Sequence, residues 1–334
     1  MNRISILCFF FVLTALSSSA QKLEYQLNLY GFGDNREYQS GVANSQTMMG
    51  THTSFQLGTT LEDHQQIRFG LDQLFEFGSE INEKKPKLIA YYHYTNDSKK
   101  EFYFGSFPRM ELLKDYPYAL LTDTLNYYRP NIEGLYGKYG WNWGHESGFL
   151  DWTSRQTMTR RETFLAGLSG EINYHSFFVQ HYITLFHYAG TADEKIGDQV
   201  EDNFGAVVYL GSHLEKLIPI QKAYIKMGML ESTFRNRAGD DELHNAFSFT
   251  GQFYGETKNF ALRATWNVGQ KHYLMNGDWF YRAHSYVRGD FYWKMITAKC
   301  VQVRFNLSYH LVNGKDLDSQ QQLSLVYKFG GTVQ

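Results

Sequence analysis

The stretch Val301-Gln302-Val303-Arg304-Phe305-Asn306-Leu307-Ser308-Tyr309-His310-Leu311 decides the fold of this chain. Hydrophobic or aromatic residues occupy its odd positions, and polar residues occupy its even positions. Side chains of a β-strand alternate between two faces, so such a strand has one apolar face and one polar face. Eleven alternating residues are long for a strand of a globular protein, whereas about 9–11 residues cross a bilayer at a tilt. The pattern therefore predicts a transmembrane strand.

The same alternation returns along nearly the whole chain, for example at Leu23–Leu29, Phe260–Val268 and Leu323–Phe329. The aromatic content of 17% and the 29 glycines also favour a protein rich in strands. We predict sixteen strands near residues 22–33, 47–60, 64–77, 86–95, 99–107, 131–141, 146–156, 162–174, 177–189, 201–213, 221–234, 244–256, 258–270, 284–296, 299–312 and 320–330.

Hydropathy and loop lengths decide between the architectures that alternation allows. The mean hydropathy of −0.44 and the lack of a second long apolar run exclude a helical membrane protein, which needs roughly 20 apolar residues per span. The predicted links from even to odd strands are mostly short, and those from odd to even strands are mostly longer, as in bacterial barrels. The last of the longer links is predicted to run to Ser319. We therefore predict an all-β, transmembrane, antiparallel up-and-down β-barrel of about 16 strands. A soluble secreted β-sandwich or propeller is the alternative.

The N-terminus has the three parts of a secretory signal. Arg3 is followed by an apolar run that ends at Leu16 and by the small residues Ser17 to Ala20. We expect a signal peptide over residues 1–20 and one barrel domain over 21–334. Cys300 would be the only cysteine left after cleavage, so no internal disulfide is expected.

The connection from Pro108 to Pro130 is the longest and most apolar link between predicted strands. Its leucines and tyrosines would be costly to leave in water, so we expect it to fold onto something. It is also the third long link. Here the chain resembles the porins of Gram-negative outer membranes, and this resemblance implies a third loop that enters the lumen and narrows it. An extracellular lid or a partner-binding surface is the alternative.

A second resemblance covers nearly the whole mature chain. The stretches Tyr30–Tyr38 and Phe107–Met110 are similar to those of outer-membrane barrel proteins of Bacteroidota. The chain departs from the usual barrel pattern at its end, because Thr332–Gln334 follow the last strand in place of a terminal aromatic residue. The resemblance implies the cell outer membrane as the location of this protein.

Inward-facing charges are the candidate functional residues. Basic groups outnumber acidic groups on the predicted polar faces, and rings of charge inside a pore set ion preference. The alternative is that these charges pair across neighbouring strands and only make the lumen polar. The candidate pore-lining or constriction residues are Arg68, Arg109, Asp115, Arg129, Asp151, Arg155, Arg263, Arg288 and Arg304.

These patterns favour a porin-like channel for passive diffusion of small polar or weakly anionic solutes. The alternative function is a closed barrel that serves as scaffold or partner-binding subunit of a surface lipoprotein or secretion assembly. Expected partners are outer-membrane lipid, the solutes, the barrel-assembly machinery, and a second copy or a lipoprotein. We expect no cofactor, no metal and, from the net charge of −2, no nucleic acid.

Enzyme activity is also weighed, because some outer-membrane barrels are hydrolases. Neighbouring histidine and serine residues are the candidates for a nucleophile with its base. No nucleophile signature surrounds them, so the sequence favours a protein that is not an enzyme. The pairs are His52 with Ser54, Ser308 with His310, and His284 with Ser285.

Overall fold

A computed structural model describes residues 22–80, 85–96, 99–193, 200–237, 239 and 241–333. The described residues form sixteen antiparallel strands, each paired with its neighbours in sequence, and β1 pairs with β16 to close the barrel. The strands are β1 Leu23–Glu37, β2 Gln46–Leu61, β3 Gln65–Glu76, β4 Lys87–Asn96, β5 Lys100–Pro108, β6 Asn131–Trp141, β7 Gly144–Ser154, β8 Thr163–Tyr174, β9 Phe177–Tyr188, β10 Glu201–His213, β11 Lys222–Asn236, β12 His244–Glu256, β13 Phe260–Gly269, β14 Ser285–Thr297, β15 Val301–Val312 and β16 Asp316–Thr332.

The predicted barrel is confirmed, and so is the assignment of its two faces. On β15, Asn306, Ser308 and His310 are buried and point inward, whereas Phe305 and Tyr309 point to the outer wall. Large apolar residues cover the outer wall on other strands as well, as lipid contact requires. Examples on five strands are Phe69, Leu88, Leu210, Met227 and Phe249. The expected signal peptide lies outside the described residues.

The last long link differs from the sequence prediction. We expected it to run to Ser319, but β16 begins at Asp316, so the link is only residues 313–315. Asn313 and Gly314 both have positive φ, and the Lys315 N–H donates to the Val312 carbonyl across a tight turn. Asp318 also continues the inward-facing row of β16. The prediction was wrong because polar residues at the start of a strand resemble a loop.

The links from odd to even strands are called L1 to L8 in chain order. Within the residues that the structure describes, two of these links carry helical turns. L3 (residues 109–130) contains the helix α1, Thr124–Tyr128, and L7 (residues 270–284) contains a 3-10 helix, Trp279–Arg282. Of the helices in the described residues, none is long and apolar enough to span a membrane.

L3 and L7 supply many members of the largest buried hydrophobic cluster. Leu120 of L3 and Phe280 of L7 are almost fully buried in it, together with inward-facing side chains such as Val207 and Leu230. Gly205 on β10 leaves room for this contact, because a Cβ there would lie 2.7 Å from the ends of both Leu120 and Leu274. The cluster therefore joins two long links to the inner wall of the barrel.

Candidate functional site

The base of L3 is fixed to the wall by a buried ion pair. The Arg109 guanidinium donates to the Asp151 carboxylate on β7, and both side chains are at most 2% exposed. Arg109 also donates to the carbonyl oxygen of Arg129, which is 3.0 Å away at the other end of the loop. The Glu133 N–H donates to Asp151 at 3.0 Å. Burial lowers the pKa of Arg109, and the charge of Asp151 opposes the shift.

The middle of L3 contacts the other side of the barrel. The hydroxyl of Tyr118 accepts a hydrogen bond of 2.8 Å from Arg263 on β13. Its ring lies under the guanidinium of Arg288 on β14, at 4.0 Å from the ring centre. Asp290 on β14 binds both arginines, with contacts of 3.0 Å from Arg263 and 2.8 Å from Arg288. L3 therefore reaches from β7 to β13 and β14.

The helix α1 contacts a third part of the wall. The ring of Tyr127 stacks on Phe32 of β1 at a centroid distance of 4.4 Å. Its carbonyl oxygen lies 2.6 Å from Nε2 of His52 on β2, and its hydroxyl accepts from Gln322 of β16 at 2.9 Å. Nδ1 of His52 lies 2.8 Å from Asp72. L3 thus contacts strands around most of the barrel's circumference.

L7 meets L3 along two backbone hydrogen bonds. The Thr122 N–H donates to the Asn276 carbonyl, and the Asp278 N–H donates to the Tyr118 carbonyl, each at 2.8 Å. Gly277 makes this approach possible, because a Cβ there would overlap the carbonyl oxygen of Ala119. Burial raises the pKa of Asp278, and the nearby Arg288, at 3.2 Å, opposes the shift.

Five of the nine predicted site residues fall into two groups joined by ion pairs. Arg109, Arg129 and Asp151 meet at the base of L3, with 3.9 Å between the Arg129 and Asp151 side chains. Arg263 and Arg288 meet at Asp290, which the sequence-based set did not include. The remaining four are separate from these groups. Arg68 pairs with Glu24 on β1, Asp115 is exposed on L3, Arg155 is exposed beyond the end of β7, and Arg304 contacts the Tyr292 ring.

Three cavities lie along the barrel axis on the two sides of this loop pair. An outer cavity of about 260 Å³ lies near L1 and Gln320. Two inner cavities, of about 360 Å³ and 460 Å³, lie nearer the short links. The outer cavity and the 360 Å³ cavity share the wall residues Tyr118, Thr122 and Asp123. These three residues therefore lie between the outer cavity and the 360 Å³ inner cavity.

The predicted neighbouring histidine and serine pairs do not form. His52 binds Asp72, His310 lies 2.7 Å from the Tyr286 hydroxyl, and His284 lies 3.1 Å from the Gly269 carbonyl. Histidine and serine do meet elsewhere. The two ring nitrogens of His272 in L7 each lie 2.8 Å from a serine hydroxyl. The sequence did not suggest this contact, because Ser232 on β11 and Ser248 on β12 are 40 and 24 residues away from His272 in L7.

The geometry of the buried His272 cluster assigns its protons. Ser248 donates to Asn267 at 2.7 Å, so it accepts from Nε2–H of His272. Nδ1 of His272 then accepts from the hydroxyl of Ser232. Burial lowers the pKa of His272 to about 4, which keeps the ring neutral at pH 7. No group of three or more His, Cys, Asp or Glu side chains suited to a metal ion occurs in the described part of the chain.

A closed barrel with an apolar outer wall and a polar, loop-filled interior is the architecture of an outer-membrane β-barrel protein. Solved structures of this class agree with the fold. The chain is 10% identical to a loop-deletion mutant of OmpT, an outer membrane protein of Vibrio cholerae, with a TM-score of 0.57 over 93% of this chain and 100% of that one. The chain is 9% identical to OccK5 (OpdH) of Pseudomonas aeruginosa, with a TM-score of 0.52 over 93% of this chain and 98% of that one. It is 10% identical to OccK11 (OpdR) of the same species, with a TM-score of 0.51 over 92% of this chain and 96% of that one.

Residues 15–331 match the family model described as Lipid A 3'-O-deacylase-type, so the chain belongs to this family. No curated protein matches the sequence. The family is associated with an enzyme activity, and the expectation that this protein is not an enzyme is therefore wrong. The expected location in the cell outer membrane is confirmed by the fold and the family.

Proposed function

We propose that the barrel is a narrow porin-like channel for small polar or weakly anionic solutes, constricted by L3 and L7. The observation that carries this proposal is the shared wall of the outer and inner cavities at Tyr118, Thr122 and Asp123. These residues line both cavities, and each cavity is large enough to hold several water molecules. A small solute crosses here after a modest displacement of L3.

Charge at this constriction favours anions only weakly. Arg263 and Arg288 flank Tyr118, but Asp290 and Asp278 bind these arginines, and Asp123 lies on the wall itself. Two buried cations beside two buried anions leave little net field. Screening over about 8 Å at physiological salt reduces the preference further. The expected channel is therefore small in conductance and only mildly selective.

Conductance in planar bilayers tests the channel. Wild-type protein should give small stable steps, and deletion of Leu112–Thr124 should enlarge them several-fold because L3 no longer crosses the lumen. Tyr118→Ala should give an intermediate increase by joining the two cavities. Tyr139→Ala is the matched control, because Tyr139 is 54% exposed on the outer wall. Silence of both the folded wild type and the folded deletion would contradict the proposal.

Acyl-ester hydrolysis is the second candidate function, and two observations favour it. One is the family match, and the other is the Ser232–His272–Ser248 arrangement. In this candidate, Ser232 Oγ attacks the acyl carbonyl carbon and its proton passes to Nδ1 of His272. That proton then leaves with the alcohol as the ester bond breaks, and water releases the acid from Ser232. Nε2–H, bound to Ser248, keeps the ring in the required orientation.

Access is the condition for this second function. His272, Ser232 and Ser248 are each at most 4% exposed, so L7 would have to move before an acyl chain reaches them. The cluster lies near the end of the barrel that carries the long links, where Ser248 pairs with the last residue of β13, Gly269. In a bacterial barrel that end faces outward, toward the leaflet that holds lipid A.

Release of fatty acid from lipid A vesicles, followed by mass spectrometry, tests the second function. Ser232→Ala should abolish release, whereas Ser147→Ala should not, because Ser147 is also buried but its hydroxyl bonds to Ser169 in place of His272. Equal release by wild type and Ser232→Ala would overturn the assignment of the nucleophile. Release with silent bilayers would favour hydrolysis over the channel.

A further inference from the structure

Arg304 is an inward-facing arginine that forms no ion pair with an acidic residue of the described ranges. Arg36, Arg68, Arg263 and Arg288 also point inward, and each binds a carboxylate. For Arg304, no carboxylate of the described residues lies within salt-bridge distance. Its guanidinium lies 5.3 Å from the centre of the Tyr292 ring and lines the 360 Å³ inner cavity.

The residue directly opposite Arg304 on the neighbouring strand is also a cation. Lys294 on β14 is its direct partner in the register, and like charges directly opposite each other destabilise a sheet. Glu256 binds Lys294 and so neutralises one of the two cations. One positive charge remains uncompensated on this part of the wall, which is where an anion gains most from binding.

Two buried polar atoms without hydrogen-bond partners lie next to Arg304. Tyr292 and Asn306 are directly opposite each other on β14 and β15, are at most 6% exposed, and line the same cavity. The Tyr292 hydroxyl and the Asn306 carbonyl oxygen both lack a partner in the described structure. Buried polar atoms are rarely left unpaired, because an unsatisfied donor or acceptor is costly away from water. A bound solute would satisfy both.

We infer that Arg304, Tyr292 and Asn306 form a binding site for a small hydroxylated monoanion, such as a sugar acid. Arg304 and the Tyr292 hydroxyl donate to the acid group, and the Asn306 carbonyl oxygen accepts from a hydroxyl group of the solute. Arg304 and Asn306 are two residues apart on one strand, or roughly 7 Å, which matches the length of a five- or six-carbon acid.

The other charges of the cavity limit the ligand to one negative charge. Asp123 lies on the same wall and accepts from Gln322 at 3.3 Å. Glu111 is also on the wall, 3.4 Å from Lys114. A second negative charge on the solute would face these carboxylates, whereas a neutral sugar would leave Arg304 without an anion.

The inference deepens the proposed channel function and rests on it for the route by which solute reaches the cavity. Binding to the full-length barrel in detergent micelles, measured by titration calorimetry, tests the site without conduction. Gluconate is the probe, and acetate and glucose are the comparison ligands. Gluconate should bind at least about 10-fold more tightly than either one, because only gluconate uses both the charge and the hydroxyl contacts.

Two variants identify the residues. Arg304→Gln should weaken gluconate binding about 10- to 100-fold through the loss of a charge-assisted hydrogen bond. Asn306→Leu should reduce the advantage of gluconate over acetate to near one. Arg160→Gln, an exposed residue of L4, is the matched control and should bind as wild type does. Unchanged gluconate affinity in Arg304→Gln, or equal affinity of wild type for gluconate and acetate, would overturn the site. Gluconate binding with silent bilayers would leave the site standing and remove the channel.

Discussion

The ion pair at the base of L3 gives the sharpest test of how this barrel is stabilised. Arg109 and Asp151 are at most 2% exposed, so neither charge reaches water if its partner is removed. Arg109→Met removes the cation and keeps most of the side-chain volume. The Asp151 carboxylate then keeps only the Glu133 N–H at 3.0 Å and Arg129 at 3.9 Å.

The expected cost follows from these remaining contacts. Removing one member of a buried ion pair destabilises a protein by about 3–5 kcal/mol. Because Arg129 and the Glu133 N–H still stabilise the carboxylate in part, we expect a value near the lower end, about 3 kcal/mol. The double variant Arg109→Met with Asp151→Leu leaves no buried charge unpaired. We expect it to cost less than either single change.

Urea titration of folding into lipid vesicles measures these free energies, with heat-modifiable gel mobility reporting the folded fraction. Arg160→Met is the control for loss of an exposed arginine. Planar-bilayer conductance of Arg109→Met should also rise, because the base of L3 is released from the wall. A loss below about 0.5 kcal/mol for Arg109→Met, or additive effects in the double variant, would refute the argument that this pair is buried and coupled.

Three further predictions concern the outer wall, the contact between loops and pH. Phe305→Arg should destabilise the barrel by about 2–4 kcal/mol in urea titration. Gln302→Arg, on the lumen face of the same strand, should destabilise it far less. Equal losses of stability would mean that the lipid and lumen faces of this strand are wrongly assigned. Gly277→Val should separate L7 from L3 and raise conductance, with Gly289→Ala as control because a Cβ at Gly289 meets no neighbour. His272 has a folded pKa of about 4, below its ordinary value near 6.5, so its contribution to stability is complete above pH 6.5 and lost as pH falls toward 4. In urea titrations across this range, the free energy of unfolding should fall by about 1.4 kcal/mol for each pH unit of acidification. His272→Gln should remove this pH dependence.

Alternation predicted the barrel, its strand number and its faces, because lipid imposes a period of two on every strand of this class. It failed where that constraint ends. Asp318 lies on β16 although it is polar, since its carboxylate accepts from the Gln39 and Ser40 backbone N–H groups of L1. A pattern based on hydrophobicity does not detect a strand that continues above the membrane.

The site could be predicted only in part for a related reason. The leucines and tyrosines of L3 predicted that this loop packs against something, whereas no pattern in the sequence singled out L7. Leu274, Phe280 and Tyr281 of L7 are buried against the same wall. Their spacing follows the local turn and the 3-10 helix, so no regular period marks them. Asp290 is absent from the sequence-based set because its position opposite Arg263 is set by strand register, and Arg288 contacts it from two residues away on the same strand.

The inner wall itself indicates that L3 and L7 belong inside this barrel. An open channel of sixteen strands would have a hydrated inner face, yet Leu165, Val207 and Leu230 point inward and are at most 2% exposed. Leaving such a side chain in water in place of burying it costs about 1.5–3 kcal/mol. Leu120 and Leu274 supply the apolar cover on β10, where Gly205 makes room for both. These inward-facing residues and the two loops are thus complementary, so a channel made by deleting L3 should conduct more and unfold at lower urea concentration. If the deletion variant conducts more but unfolds at the same urea concentration, then residues other than those of L3 keep these inward-facing apolar side chains out of water.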